Sequence, residues 1–352
     1  MSKSQKLAQF DPNGLGATNG NLFGFPFTPE EAEVVILPVP WEVTVSYHSG
    51  TAQGPAAILA ASPQLDLIDP DKARPWEIGV AMLEISEIWQ KRNQILRKRA
   101  ETYIHFLETT QAGHLRKSEQ LKDVWAMRDE VNTACNELHQ WVQDEATKWL
   151  KRGKTVGILG GDHSTPLGLM HALAERYPRF SILQIDAHAD LRDSYEGFKF
   201  SHASIMYNAL KIPQIQRLVQ VGIRDICPEE VNRIETSNGR ICTFYDWDLK
   251  RKQFTGQTWH DQCERIISPL SEAVYISLDI DGLDPKLCPH TGTPVPGGLQ
   301  FEELVYLLTR LVESGRNIIG FDLCEVAPGD GDWDANVGAR VLYRLINRTN
   351  FC

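Results

Sequence analysis

Residues 155–164 read Thr-Val-Gly-Ile-Leu-Gly-Gly-Asp-His-Ser, and residues 180–190 read Phe-Ser-Ile-Leu-Gln-Ile-Asp-Ala-His-Ala-Asp. In each stretch a short apolar run, the mark of a strand buried on both faces, stops at a cluster of histidine and aspartate. Outward from these, similar runs recur at 34–39, 218–221, 273–278 and 318–323. Helical patterns at 166–176, 229–235, 261–267 and 301–314 separate most of them. Strand alternating with helix predicts an α/β chain, a mostly parallel sheet covered by helices on both faces. No repeat, low-complexity tract or linker divides the sequence, so 1–352 is expected to be one domain.

Two segments depart from the alternation. Residues 1–33, rich in Gly, Asn, Phe and Pro, lack periodicity and read as an N-terminal arm. Residues 86–152 hold a single glycine, Gly113, and no proline. Apolar residues at 121, 124, 131, 135, 138, 142 and 149 form a helical stripe, interrupted by Arg128 and Glu145. A second stripe lies at 88, 95, 96, 103 and 107. The pattern predicts a helical insertion between the first two strands, two long helices turning near Gly113, one serving as the crossover.

Composition removes several classes. With 36 Lys+Arg against 46 Asp+Glu the net charge is −10, which offers nucleic acid no electrostatic attraction. No run approaches the roughly 18 apolar residues of a membrane span, and the first residues lack a signal-peptide core. Seven cysteines, odd in number and never in a CxxC pair, read as reduced thiols of a cytoplasmic protein.

Three clusters carry the chemistry: Gly160-Gly-Asp-His-Ser164, Asp186-Ala-His-Ala-Asp190 and Asp279-Ile-Asp281. Each follows an apolar strand, and ligand sites of open α/β sheets lie beyond the carboxyl ends of strands. Along extended chain, side chains i, i+2 and i+4 face one way, so Asp186, His188 and Asp190 point together, as do Asp279 and Asp281. With His163 the set is two imidazoles and four carboxylates. Such acids would repel one another strongly, and two divalent cations would neutralise them. Oxygen-rich ligation with one imidazole per metal and no thiolate favours Mn²⁺ over a structural zinc site.

Taken in order, GGDHS, DAHAD and SLDIDGLDP…TGTPVPGGL resemble the signature stretches of the ureohydrolase family, the arginases, agmatinases and related guanidino-group hydrolases. The stretch from Val39 to Ile58 matches the family's N-terminal pattern, and the resemblance runs from about 34 to 345. It implies a three-layer α/β/α, arginase-like fold, a binuclear Mn²⁺ centre and urea as product. By position, His163 and Asp190 would ligate one manganese, His188 and Asp281 the other, and Asp186 and Asp279 both. Water activated between the metals would attack the guanidinium carbon. Glu325 matches the acid that anchors the guanidinium, and His202 the histidine that passes a proton to the leaving amine. The resemblance also implies a homo-oligomer, trimer or hexamer.

The substrate is less determined. The Ser-Gly-Asn…His-Gly loop by which arginases read an amino acid is absent. Residues 191–202 instead resemble the loops of agmatinase-like proteins, where Asp193 and Glu196 would attract the distal amine of agmatine. Arg192 and Lys199 would instead suit a carboxylate, as in 4-guanidinobutyrate. The expected reaction is agmatine to putrescine and urea. The alternatives are another small guanidino substrate (guanidinobutyrate, guanidinopropionate, arginine or guanidine itself, with Ni²⁺ in place of Mn²⁺) or a metal-binding homologue without catalysis. His290 is expected to cap the turn it sits in, and Asp334 to begin the last helix.

Overall fold

A computed structural model describes residues 1–111 and 118–349. Eight strands form one sheet: β1 Val34–Val39, β2 Val80–Met82, β3 Thr155–Gly160, β4 Phe180–Ile185, β5 Ile215–Ile223, β6 Ile241–Tyr245, β7 Ala273–Asp279 and β8 Asn317–Cys324. The spatial order is β2-β1-β3-β8-β7-β4-β5-β6, and every pairing is parallel. Parallel pairing forces each connection to cross a face of the sheet, which places helices on both sides. Two apolar clusters, one built around Ile36, Ile276 and Leu342 and the other around Val35, Leu138 and Tyr275, fill the space above and below the sheet. The architecture is the expected three-layer α/β/α.

The expectation differs from the structure at both sheet edges. Strands β2 and β6 carry no long apolar run. The first has three residues, and the second is half-exposed along most of its length, so neither needs the continuous hydrophobicity of a central strand. Because β2 intervenes, the helical segment lies between the second and third strands of the chain, not the first and second.

Of the helices, α1 (Lys3–Gln9) is closed by a capping box of Ser2 and Gln5, and α2 is Gly54–Ala61. The long pair are α3 (Glu87–Gln111) and α4 (Ser118–Leu150). The turn expected near Gly113 and the side chain of Leu121 fall outside the described residues. Helix α4 buries Val131, Cys135, Leu138, Val142 and Trp149, the predicted stripe, together with Ala134 and Ala146. It passes so close to helix Leu167–Arg176 that a Cβ on Gly168 would stand 2.2 Å from the His139 carbonyl oxygen. The α3 stripe is partly rotated from the expected one. Ile88 and Ile95 are exposed, while Trp89, Asn93, Leu96, Ala100 and Tyr103 face inward. Asn93 escaped a hydrophobicity reading because it is polar. It is buried because its Oδ1 accepts the Glu42 backbone N–H at 2.7 Å. No described helix is long and apolar enough to cross a membrane.

The N-terminal arm packs into the core through Leu22, Phe23, Phe25 and Phe27. The last helix, Trp333–Arg348, is tied to the chain after α2 by a buried ionic cluster. Arg348 donates to Asp69 at 2.8 Å and to Asp71 at 2.6 Å, and Arg344 lies 2.9 Å from Asp69. Burial alone would push the Asp69 carboxyl up, but hydrogen bonds from Arg348 and Asn347 outweigh it and hold it at about 2. A depressed folded-state pKa contributes stability above the unfolded value near 4, lost as pH falls through about 2. Asp69→Ala is expected to cost about 1–3 kcal/mol, because the buried Arg348 guanidinium loses its fully buried carboxylate and keeps the part-exposed Asp71. Denaturant unfolding measures it, and a loss under about 1 kcal/mol would show that the cluster is merely tolerated.

Candidate active site

Strands β3, β8, β7 and β4 are adjacent at the centre of the sheet, and their carboxyl ends carry the clusters singled out in the sequence. Leu278 pairs with Ile185, and Asp279 with Cys324, so Asp186, Asp279 and Glu325 emerge at one level. Gly161 permits the turn after β3, since a Cβ there would lie 2.0 Å from the Trp41 carbonyl oxygen. Asp190 and Glu325 adopt left-handed backbone conformations, φ 55° and 64°, which are strained for residues bearing a Cβ and recur at functional sites. The Asp190 carbonyl is held by the Met206 and Tyr207 N–H groups at 3.1 Å each.

The six proposed metal ligands converge. His163, Asp186 and Asp190 form one group with ligand atoms within 4.8 Å of one another, and Asp186, His188 and Asp281 form a second. Asp186 belongs to both. The His163 Nδ1 atom faces Asp186 at 3.0 Å, Asp190 at 3.1 Å and Asp279 at 3.4 Å. His188 Nδ1 faces Asp281 at 3.0 Å and Asp186 at 3.8 Å. Burial, then Asp186, pushes Asp190 up to about 7, and Asp279 is driven well above the carboxylate range by burial and by Asp281. Asp281 goes the other way, because His188 overcomes its burial.

The donor set fits a pair of divalent cations. His163 Nδ1 is buried without a hydrogen-bond partner, and it is aimed at carboxylate oxygens that would otherwise repel one another. The atoms behind the ligands also fit. His163 Nε2 meets Ser277 Oγ at 2.9 Å, with Asp322 Oδ1 at 3.7 Å, and Tyr275 donates to Asp322 at 2.7 Å. Asp225 stands 3.8 Å from His188 Nε2. Ser277, within hydrogen-bond distance, is placed as the outer partner that orients the His163 ring, while Asp322 and Asp225 stand beyond that distance. Arg224 donates to the carbonyls of Asp281 (2.6 Å), Leu283 (3.2 Å) and Val295 (2.9 Å), tying the β7 turn to the loop after it. Sequence reasoning missed these residues. A polar side chain inside an apolar run was the available signal for Ser277 and Asp322; Arg224 offered none.

Glu325 is buried, with Oε1 accepting the His163 N–H at 2.9 Å. Its Oε2 faces Gly292, where a Cβ would approach to 3.2 Å. Burial, then Asp162, holds the Glu325 carboxyl well above its ordinary range, a cost that a cationic partner would relieve. Beside His188 and Asp190 opens a pocket of about 230 Å³ lined by Ser46, Tyr195, His202, Asp225, Glu230 and Thr293, with Arg192 at its wall. His202 is kept well below its ordinary pKa by burial, then by His188 and His163. Arg192 stacks on Tyr195, its guanidinium carbon 4.9 Å from the ring centre, and lies 4.0 Å from Glu230.

Asp193 and Glu196 are not brought to this mouth. Asp193 is exposed and accepts the Ser194 hydroxyl at 3.3 Å, and Glu196 is turned toward Arg97 and Glu108 of α3. Lys199 is exposed as well. His290 serves its turn, its N–H and Nδ1 reaching Asp334 at 3.0 and 2.8 Å, and Asp334 stands in the first turn of the last helix.

The family model that matches is that of the arginase family, over residues 32–347. An N(1)-aminopropylagmatine ureohydrolase of Thermus thermophilus is 33% identical over 329 residues, 92% of this chain and 93% of that one. An agmatinase of Cronobacter sakazakii is 31% identical over 337 residues, 92% of each. In architecture the chain is similar to the agmatine ureohydrolase of Thermoplasma volcanium (TM-score 0.69, 24% identity, 98% of this chain and 97% of that one).

Proposed function

The chain belongs to the arginase family of metal-dependent hydrolases acting on guanidino groups, and we propose that it releases urea from an agmatine-type substrate, an alkylguanidine whose tail ends in an amine. The observation that carries the reading is the convergence of two His/Asp groups sharing Asp186 beside the buried carboxylate of Glu325. His163, Asp186, His188, Asp190, Asp279 and Asp281 would hold two metal ions, which we take to be Mn²⁺. When bound, the pair supplies acidified water near neutral pH and offsets the carboxylate charge.

The chain's own groups do the rest. Glu325 Oε2, left open by Gly292, accepts guanidinium N–H donors and fixes the plane of the reacting carbon. His202, at the pocket wall, accepts a proton and returns it to the departing amine. Asp190, beside His163, keeps its carboxylate toward the reacting centre. Asp225, its side chain 70% exposed, puts negative charge at the mouth and favours a cationic tail over a carboxylate. Arg192 does not reverse that preference, because Glu230 and the Tyr195 ring already engage it. The names carried by the relatives, agmatinase and N(1)-aminopropylagmatine ureohydrolase, point to the same class. A cytoplasmic homo-oligomer, with residues 1–352 as one domain, completes the proposal.

Urea release from agmatine, N(1)-aminopropylagmatine, arginine, 4-guanidinobutyrate and guanidine tests it, with protein loaded in turn with Mn²⁺ and Ni²⁺. The amine-tailed pair should exceed the carboxylate-bearing pair in kcat/KM by at least tenfold. Preference for 4-guanidinobutyrate or guanidine would overturn the substrate and leave the reaction. No urea from any of them would overturn both.

A further inference from the structure

The loop from Asp190 to His202 has no helix or strand of its own, yet it must place Tyr195 and His202 on the same pocket wall. Its tip is a two-residue turn closed by paired bonds between Tyr195 and Phe198 (3.1 and 2.8 Å). Glu196 and Gly197, at its centre, both have positive φ, 52° and 81°. That is the conformation of tight primed turns, which Asn-Gly favours and glutamate does not. Something outside the loop must therefore hold the turn in place.

The structure provides it on one face of α4. The Asn132 amide donates to the Gly197 carbonyl at 3.1 Å, while its oxygen accepts the Lys199 N–H at 2.8 Å. Two turns further along, His139 meets the Phe200 ring edge-on at 5.0 Å and reaches the Ser164 carbonyl, next to His163, at 3.0 Å. From α3, Tyr103 packs edge-on against the fully buried Phe198 at 5.3 Å. Its hydroxyl is so near the turn that a Cβ on Gly197 would approach it to 2.7 Å. Beyond the turn, Tyr195 lies edge-on to His202, their centres 6.2 Å apart. Helix α3 also grips the opposite wall, where Arg97 donates to the Val43 and Val45 carbonyls and to Ser49 Oγ, on either side of Ser46.

We infer that the α3–α4 segment is the frame that positions the mouth, and that Asn132 is a positioning residue for the His202-bearing loop. It rests on the urea-releasing reading for its kinetic consequence only. Without the amide, two loop backbone groups lose their protein partners and the loop is free to drift, carrying His202 off line. A displacement of about 1 Å from outside the chemistry can cost on the order of 10²-fold in rate.

The experiment compares the metal-loaded wild type with Asn132→Ala, with Asn136→Ala on the exposed side of α4 as control, and with both Asn132 and His202 replaced by alanine. Asn132→Ala should lower kcat roughly 10- to 100-fold at unchanged metal content. It should add no loss in the His202→Ala background, because a residue acting through another is not additive with it. Hydrogen exchange should quicken at the amides of 197–201 and stay unchanged in peptides covering 155–166 and 273–284. Losses that multiply in the double variant, or unaltered protection at 197–201, would overturn the assignment. If the wild type releases no urea from any guanidino compound, the function reading falls, and exchange alone decides the positioning role.

Discussion

Asp186→Ala is expected to lose metal and activity together. Its side chain is the carboxylate common to both ligand groups, so its removal takes a ligand from each ion at once. It also organises its neighbours. Oδ1 accepts the His188 N–H at 2.7 Å, and Oδ2 accepts the Gln184 amide at 2.7 Å. Loss of an outer partner of a metal ligand already costs roughly 10–100-fold in affinity or activity, so loss of a shared ligand should exceed that. Metal analysis after gel filtration should find well under one ion per chain, with no urea above background. The fold should survive, because the two apolar clusters that build it cover both faces of the sheet along its whole length and do not include this side chain. Asp279→Ala should follow the same course if it, too, serves both ions. Full metal content with normal turnover in Asp186→Ala would refute the site as drawn.

His202→Ala should separate from it cleanly. The predicted loss is roughly 10²–10⁴ in kcat, the range for removing a general acid–base group, with metal content intact. His202 stands at the pocket with Ser201 and Thr44, whose oxygens lie 3.4 Å from its Nδ1 and its backbone N, and it belongs to neither ligand group. Partial recovery by added imidazole would identify the missing function as proton transfer. A fall in metal content would instead make His202 a ligand.

Glu196 illustrates what local sequence conceals. An acid four residues after Arg192 in a loop beside the ligands reads as a substrate contact, since loops at strand ends bind substrates. In the structure the primed turn rotates it under α3, where burial, then Glu108, pushes its carboxyl up to about 7. The turn is specified by contacts with Asn132, 65 positions before Gly197, and with Tyr103, still earlier in the chain, which no spacing rule within the loop encodes. Asn132 is the converse. It lies off the apolar stripe of α4, so nothing in the sequence singled it out, and its contacts with Gly197 and Lys199 exist only because α4 lies across the loop.

The candidate ligand groups were legible because each draws on a short His/Asp cluster at a strand end. Strand alternation does not itself aim Asp186, His188 and Asp190 together, since β4 stops at Ile185 and Asp190 is left-handed. The parallel sheet with right-handed crossovers brings strand ends to one edge. The central strands were legible for a related reason, since burial on both faces demands unbroken hydrophobicity, whereas the edge strands β2 and β6 escape that demand. Sequence by itself therefore determined the three-layer fold, the strand-end His/Asp clusters that converge and the class of chemistry. Tertiary structure alone decided the burial of His163 Nδ1 among carboxylates, the shelf of Ser277 and Asp322 behind it, the removal of Glu196 from the mouth, and the contacts by which α3 and α4 hold the loop. Each of these depends on distances between segments far apart in sequence, set by packing, which a one-dimensional pattern does not carry.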